Sequence, residues 1–285
     1  MRYELGQASR LGNRAANQDR FAYIERDDGV LLVLADGMGG QVGGELAAQL
    51  LVDVARRDFL TGQDLLQAPE DFLTGIIEDA HRRIVAWGES QQPPVRPGST
   101  AVLCLLREGH ACWAHAGDSR LYLFRKGLPL YRTDDHSYVE KLYRDGLISR
   151  ERRHSHPMRN YVTQCIGCAE QPVIEFHAPV RVEPGDVLLL CSDGLWGGVD
   201  DARMGAMLAE GPLELALDRM AEQAEQHAYP RCDNISALAL RWQGAAPSRR
   251  TDRHGKPTPD PRELDGAIEE IENAIRRYAR EMKKD

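Results

Sequence analysis

"FAYIERDDGVLLVLADGMGGQVGGELAAQLLVDVARRDFL", residues 21 to 60, is the stretch on which the fold turns. It opens with alternating apolar and polar residues, breaks at Asp27-Asp28-Gly29, and then runs apolar to Ala35. That pattern predicts two strands joined by a tight turn, the second of them buried. A lone acid, Asp36, stands where the apolar run stops, followed by the glycines 37, 39, 40, 43 and 44. Glycine-rich loops after strands often cradle phosphate. This one lacks a Gly-Lys-Ser/Thr ending and misses the G-x-G-x-x-G spacing. The remaining reading is that Asp36 holds a metal and the glycines let the backbone come close. From Gly44 to Leu60 the apolar residues recur with helical period.

Outward from this unit the pattern repeats in kind. A second helix is expected over 70–88, with Phe72, Ile76, Ile77, Ile84 and Trp87 on one side. Residues 99 to 131 read as four short strands with turns at Arg107–His110, Gly117–Arg120 and Arg125–Gly127. Residues 136–155 read as helical and strongly charged, and 154–172 as irregular. The strand "DVLLLC" ends at Ser192-Asp193-Gly194, echoing Asp36-Gly37, and helical stretches at 200–209 and 213–227 lead to "CDNISALALRW". Paired strands with paired helices between them predict an α+β fold, helices packed on antiparallel sheets.

Bulk properties narrow the partners. The chain has 285 residues, 42% of them hydrophobic, and a formal charge of -8. That excludes wholesale disorder and argues against nucleic acid or an anionic membrane as the main partner. No apolar run approaches the ~20 residues of a membrane helix, and the start shows no secretion signal. Six cysteines do not make a disulfide framework; Cys104, Cys112, Cys191 and Cys232 sit in or beside apolar runs, as expected in a reducing, cytoplasmic setting. Cys165 and Cys168 have C-x-x-C spacing but lack the second pair or the two nearby histidines of a zinc site.

Asp19, Asp36, Asp193 and Asp233 each sit beside an apolar strand at a turn. One such acid is ordinarily a turn former or helix cap. Four that converged would repel one another and demand a cation, and oxygen ligands select Mg²⁺ or Mn²⁺. Two such ions ~3.5–4 Å apart can activate a bridging water and clamp a phosphoryl group.

In order along the chain stand "RAANQDR" (14–20), "LADGMGGQVGGE" (34–45), "GSTAVLCLL" (98–106) and "AHAGDSRLYLFR" (114–125). "TDDHS" (133–137), "LLLCSDGLWGGV" (188–199) and "CDNISALAL" (232–240) follow. With these seven motifs the chain resembles the bacterial metal-dependent protein phosphatases, the type 2C serine/threonine phosphatases. The resemblance implies a four-layer sandwich, two antiparallel sheets flanked by helix pairs. It implies a binuclear Mn²⁺ or Mg²⁺ centre, with Asp36 bridging both ions and the Gly37 carbonyl binding one. Asp193 and Asp233 would hold the other, Asp19 would act through water, and Asp118 would help bind a third, weaker ion. Arg14 falls where the family grips the substrate phosphate. Metal-activated water would attack phosphorus without a phosphoenzyme, in phosphorylated protein substrates and against a cognate Ser/Thr kinase.

Two departures carry consequences. Gln18 stands where many members have Glu, which removes a carboxylate beside the centre. Met38 stands where eukaryotic members carry a histidine, and a thioether cannot donate a proton. His136 is tempting as a substitute acid, although a histidine in such a turn is ordinarily a structural hydrogen bonder. The rival readings are a pseudophosphatase acting as a regulatory binding module, and a phosphatase of small phosphoesters. The first would be expected to lose Asp36, Asp193 or Asp233, and all three are present.

The organisation expected is a catalytic domain over 1–243, a polar Pro-rich linker over 244–260 and an amphipathic helix over 261–285. Asp260, Pro261 and Glu263 would start that helix. Leu264, Ile268, Ile271, Ile275, Tyr278 and Met282 form a narrow seam that either folds back or meets a partner helix.

Overall fold

The computed structural model describes residues 1–38, 43–62, 68–149 and 152–244. The linker after Gly244 and the helix expected at 261–285 lie outside the described residues. The first half contains strands β1 (Arg2–Arg10), β2 (Arg20–Arg26), β3 (Gly29–Ala35) and a short β4 (Gly37–Met38). Helices α1 (Gly44–Thr61) and α2 (Pro69–Ser90) follow, then β5 (Gly98–Ser99), β6 (Ala101–Arg107), β7 (His110–Ala116), β8 (Arg120–Arg125) and β9 (Leu128–Arg132). Two short helices, α3 (Tyr138–Arg144) and α4 (Arg152–Ser155), precede β10 (Glu175–Arg181) and β11 (Val187–Cys191). The described part closes with α5 (Asp193–Trp196), α6 (Asp201–Ala209), α7 (Leu213–Ala228) and β12 (Ile235–Gly244).

Two five-stranded antiparallel sheets result, ordered β1-β12-β11-β8-β9 and β10-β7-β6-β3-β2. Strand β3 shows why they stack. Every one of its residues is buried, because both of its faces are covered. Leu31, Val33 and Ala35 pack with Leu51, Phe59 and Ile76 of α1 and α2. Val30, Leu32 and Leu34 pack with Leu188, Leu190, Leu238 and Leu240 of the other sheet. On that sheet's far face, Leu189 and Cys191 join Leu217 and Met220 of α7. The α+β four-layer sandwich expected from the sequence is therefore the observed architecture. Among the described residues no helix is long and apolar enough to cross a membrane.

Three local differences have physical causes. The charged stretch 136–155 is not one helix: α3 stops at Arg144, and Gly146 follows with φ +71°, a left-handed turn that breaks the spiral. Strands β1 and β10 carry no apolar run and were not expected. Both lie at sheet edges, where half of the strand needs no cover. β1 is held by pairing along its length with β12, from Arg2↔Gly244 to Arg10↔Ile235. β10 contains Pro179 and breaks register between His177 and Val180, as edge strands tolerate. Finally, Cys165 and Cys168 are joined as a disulfide, whereas the other four cysteines are buried thiols. The expectation of a reducing setting holds for those four and not for the C-x-x-C pair.

Antiparallel pairing also gathers the acids. Arg20 pairs with Ala35, Ala101 with Ala116, and Cys191 with both Arg120 and Ala237. Asp19 and Asp36 adjoin the first of these pairs, Asp118 and Asp193 lie two residues past Ala116 and Cys191, and Asp233 lies two residues before β12 begins at Ile235. One end of the sandwich therefore receives all five.

Candidate metal centre

A cavity of about 560 Å³ opens at that end, lined by Arg14, Asp36, Gly37, Asp118, Asp193 and Asp233. Gln18, Met38 and Asn234 also face it, and Asn160 and Val162 belong to its wall. Asp19 stands behind this lining. It is 4% exposed, and its Oδ2 accepts a 2.9 Å bond from Ser192 Oγ.

Each acid is fixed by its own strand end. The Asp36 N–H donates to Thr100 Oγ1 at 2.9 Å, and its carbonyl accepts from Thr100 N–H at 2.9 Å and Ser99 Oγ at 3.0 Å. Thr100 Oγ1 lies 2.7 Å from Ser119 Oγ, next to Asp118, so one buried hydroxyl pair ties the two acid-bearing turns together. Gly37 needs its missing side chain. A Cβ there would lie 2.3 Å from Gly44 O and 2.7 Å from Gln18 O. Asn234 binds the Arg14 loop from three directions. Its Oδ1 accepts from Gln18 N–H at 2.9 Å, and its Nδ2 donates to the carbonyls of Leu11 at 2.9 Å and Ala16 at 3.1 Å. Sequence reasoning passed over Asn234, Thr100 and Ser192, because nothing in their spacing distinguishes them from ordinary turn residues.

The electrostatics are those of crowded carboxylates with too little countercharge to offset their burial. Burial, then the charges of Asp19 and Asp193, hold Asp36 well above the usual carboxylate range. Asp193 is raised in the same way by burial and then by Asp118 and Asp233. Burial, then Asp135, pushes Asp118 up to about 7, and burial raises Asp19 to about 6 against the hydrogen bond from Ser192. Buried oxygens of Asp19 and Asp193, Oδ1 in each, have no hydrogen-bond partner. An all-oxygen donor set with unpartnered inner oxygens suits a hard divalent cation. Such an ion keeps several waters and needs only one or two carboxylates, so the acids need not close into a tight cage.

Arg14 borders the acids. Its Nη2 lies 2.5 Å from Asp233 Oδ2, and the side chain remains 58% exposed. His136 does not join them. Its Nδ1 accepts from Gly117 N–H at 3.3 Å, and its Nε2 faces Glu175 Oε1 at 3.4 Å. Burial, then His115, lowers its pKa to about 4, so the ring is neutral and a weak proton donor. Among the described residues, His115, His136 and Glu175 are also the one group of three such side chains with ligand atoms within 4.8 Å of one another. In His136 the Gly117 bond uses the Nδ1 lone pair and leaves the proton on Nε2, the nitrogen that would have to bind an ion.

This arrangement of acids at the end of an αββα sandwich defines a class. The family model for protein phosphatase 2C matches residues 7–233. The chain belongs to the protein phosphatase 2C family, whose members are metal-dependent phosphatases. A protein phosphatase 2C-type chain of Streptococcus pyogenes serotype M6 is 37% identical over 228 residues, 78% of this chain and 90% of the relative. The solved serine/threonine phosphatase of S. agalactiae superposes with a TM-score of 0.78 at 28% identity, covering 85% of this chain and 100% of that one. The catalytic domain of the serine threonine protein phosphatase PstP, solved in complex with two manganese ions, gives 0.69 at 28% identity over 85% and 99%.

Proposed function

We propose that this protein removes phosphate from phosphoserine and phosphothreonine in other proteins, using the Asp-lined cavity as a binuclear Mn²⁺ or Mg²⁺ centre. The observation that carries the reading is the convergence of four strand-end carboxylates and one arginine on a single cavity open to solvent, with a fifth carboxylate, Asp19, buried behind them. Asp36 and the Gly37 carbonyl would share the ions, Asp193 and Asp233 would hold one, and Asp19 would reach the centre from behind. Asp118, with Asp193, offers a third, weaker position. When bound, the ions supply an activated water and neutralise charge on the phosphoryl oxygens, which leaves no need for a phosphoenzyme.

This chain's own groups then have defined tasks. Arg14 is exposed enough to exchange Asp233 for a phosphate dianion, which its planar fork fits in two hydrogen bonds. Asn234 keeps the Arg14 loop against the turn that carries Asp233. Met38 lines the cavity without a proton to give, so leaving-group protonation falls to solvent. A phosphate on serine or threonine is put there by a kinase, so the reaction opposes a Ser/Thr kinase. The intact acids speak against a non-catalytic binding module.

The test is steady-state release of phosphate from phosphoserine and phosphothreonine peptides by the whole chain with Mn²⁺. Arg14→Ala should raise KM about tenfold, the loss of one charge-assisted contact, with the smaller change in kcat. An unchanged KM removes Arg14 from the phosphate site.

A further inference from the structure

We propose that the Cys165–Cys168 disulfide is a thiol–disulfide exchange site whose opening by a dithiol reductant loosens Asp36. The inference rests on the reading of Asp36 as a metal ligand and adds a regulatory chemistry to that site. Three observations carry it. First, the bond is accessible: Cys168 is exposed and Cys165 half-buried, while the remaining cysteines are buried. Second, it closes a loop of only three residues' separation, so it constrains the unfolded chain little and mainly shapes its own turn.

Third, that turn is wired to the acid. Ile166, buried between the two cysteines, exchanges both backbone hydrogen bonds with Ser99, N to O at 2.9 Å and O to N at 3.0 Å. Ser99 pairs with Gly37 in the β4–β5 ribbon, and its Oγ donates to the Asp36 carbonyl at 3.0 Å. One residue therefore links the disulfide turn to the Asp36–Gly37 peptide. The turn itself fits its seat closely. Gly167 has φ +87°, its N–H donates to the buried His81 Nδ1 at 3.1 Å, and a Cβ there would lie 2.2 Å from Pro97 O. A turn held that closely transmits a change in its own constraint to the strand it borders.

The chemistry balances without a metal. A thiolate of the reductant attacks Cys168 Sγ, the S–S bond breaks, and its electron pair leaves on Cys165 Sγ, which takes a proton. The reductant's second thiol then attacks the mixed disulfide, forming the reductant's own disulfide and releasing Cys168 as a thiol. Two electrons and two protons pass to the protein. Reduction frees the Ile166 turn, weakens its bracing of Ser99 and lowers the affinity of the acid cluster for Mn²⁺.

The experiment uses the whole chain equilibrated in dithiothreitol redox buffers, read in two ways. Maleimide labelling with mass spectrometry follows the thiols, and calorimetric Mn²⁺ titration without substrate follows the metal. The expected result is reversible gain of two labels at Cys165 and Cys168, with Mn²⁺ affinity severalfold weaker in the reduced protein. Cys165→Ser/Cys168→Ser should hold the weaker affinity in every buffer. Equal Mn²⁺ affinity in both redox states, or thiols that stay free in the air-oxidised folded protein, overturns the proposal. Absence of Mn²⁺ binding in both states overturns the metal reading itself and the proposed effect of reduction on Asp36 with it, whatever the thiol labels show.

Discussion

Asp36→Asn is expected to cut phosphopeptide turnover by about a hundredfold or more while leaving the fold intact. Even groups that only orient a metal ligand cost about 10–100-fold when changed, and the shared-ligand role proposed for Asp36 would make its loss cost no less. The stability side of the prediction is the sharper one. Asp36 is held well above the ordinary carboxylate range by burial and by four neighbouring acids, so its charge is a burden on the metal-free protein. The amide keeps the shape and removes that burden. Thermal unfolding of the metal-free variant should therefore occur at the wild-type temperature or above it, the signature of a site kept for function against stability. Near wild-type turnover at saturating Mn²⁺ contradicts the ligand assignment. A collapse of the melting temperature instead makes Asp36 a structural residue.

The second large effect is on stability alone. Arg120 follows Asp118 by two residues, and its guanidinium makes two 2.7 Å bonds to Asp135, both side chains 8% exposed. Its Nη1 donates to Tyr122 Oη at 2.9 Å, that hydroxyl donates to Asp201 at 2.9 Å, and the guanidinium stacks 3.7 Å from the Trp196 ring. Trp196 in turn donates to the Asp118 carbonyl at 2.9 Å. Arg120→Ala leaves Asp135 buried without its countercharge, at a cost of about 3–5 kcal/mol. At roughly 2–4 °C per kcal/mol for a domain of this size, the melting temperature should fall by about 6–20 °C. An Arg120→Met/Asp135→Leu pair should recover much of that loss, because removing both charges removes the desolvation cost. Circular dichroism melts of the three proteins decide it, and a change of only a degree in Arg120→Ala means the pair is solvated in solution.

How far the sequence could be read depended on the kind of force that sets each element. β3 and β11 are buried on both faces, and continuous apolar runs reveal such strands directly. The period of α1, α2 and α7 likewise follows from one buried face. β1 and β10 depend instead on backbone pairing with a partner far along the chain, which leaves no periodic mark. The acids were legible as strand-end residues, and their convergence needed the seven motifs in order, since spacing does not reveal which strand ends adjoin. The residues that aim them, Thr100, Ser119, Ser192 and Asn234, act through side-chain hydrogen bonds that composition cannot single out. The link from the C-x-x-C turn to Asp36 was invisible for the same reason: it runs through backbone groups that every residue possesses.

Phosphate release from a phosphothreonine peptide, measured before chelation, in EDTA and after Mn²⁺ is restored, tests the central claim most directly. Hydrolysis should fall to background in EDTA and return when Mn²⁺ is added in excess, with circular dichroism unchanged throughout. Strong hydrolysis that persists in EDTA, or a folded chain that Mn²⁺ and Mg²⁺ both fail to activate, contradicts the account.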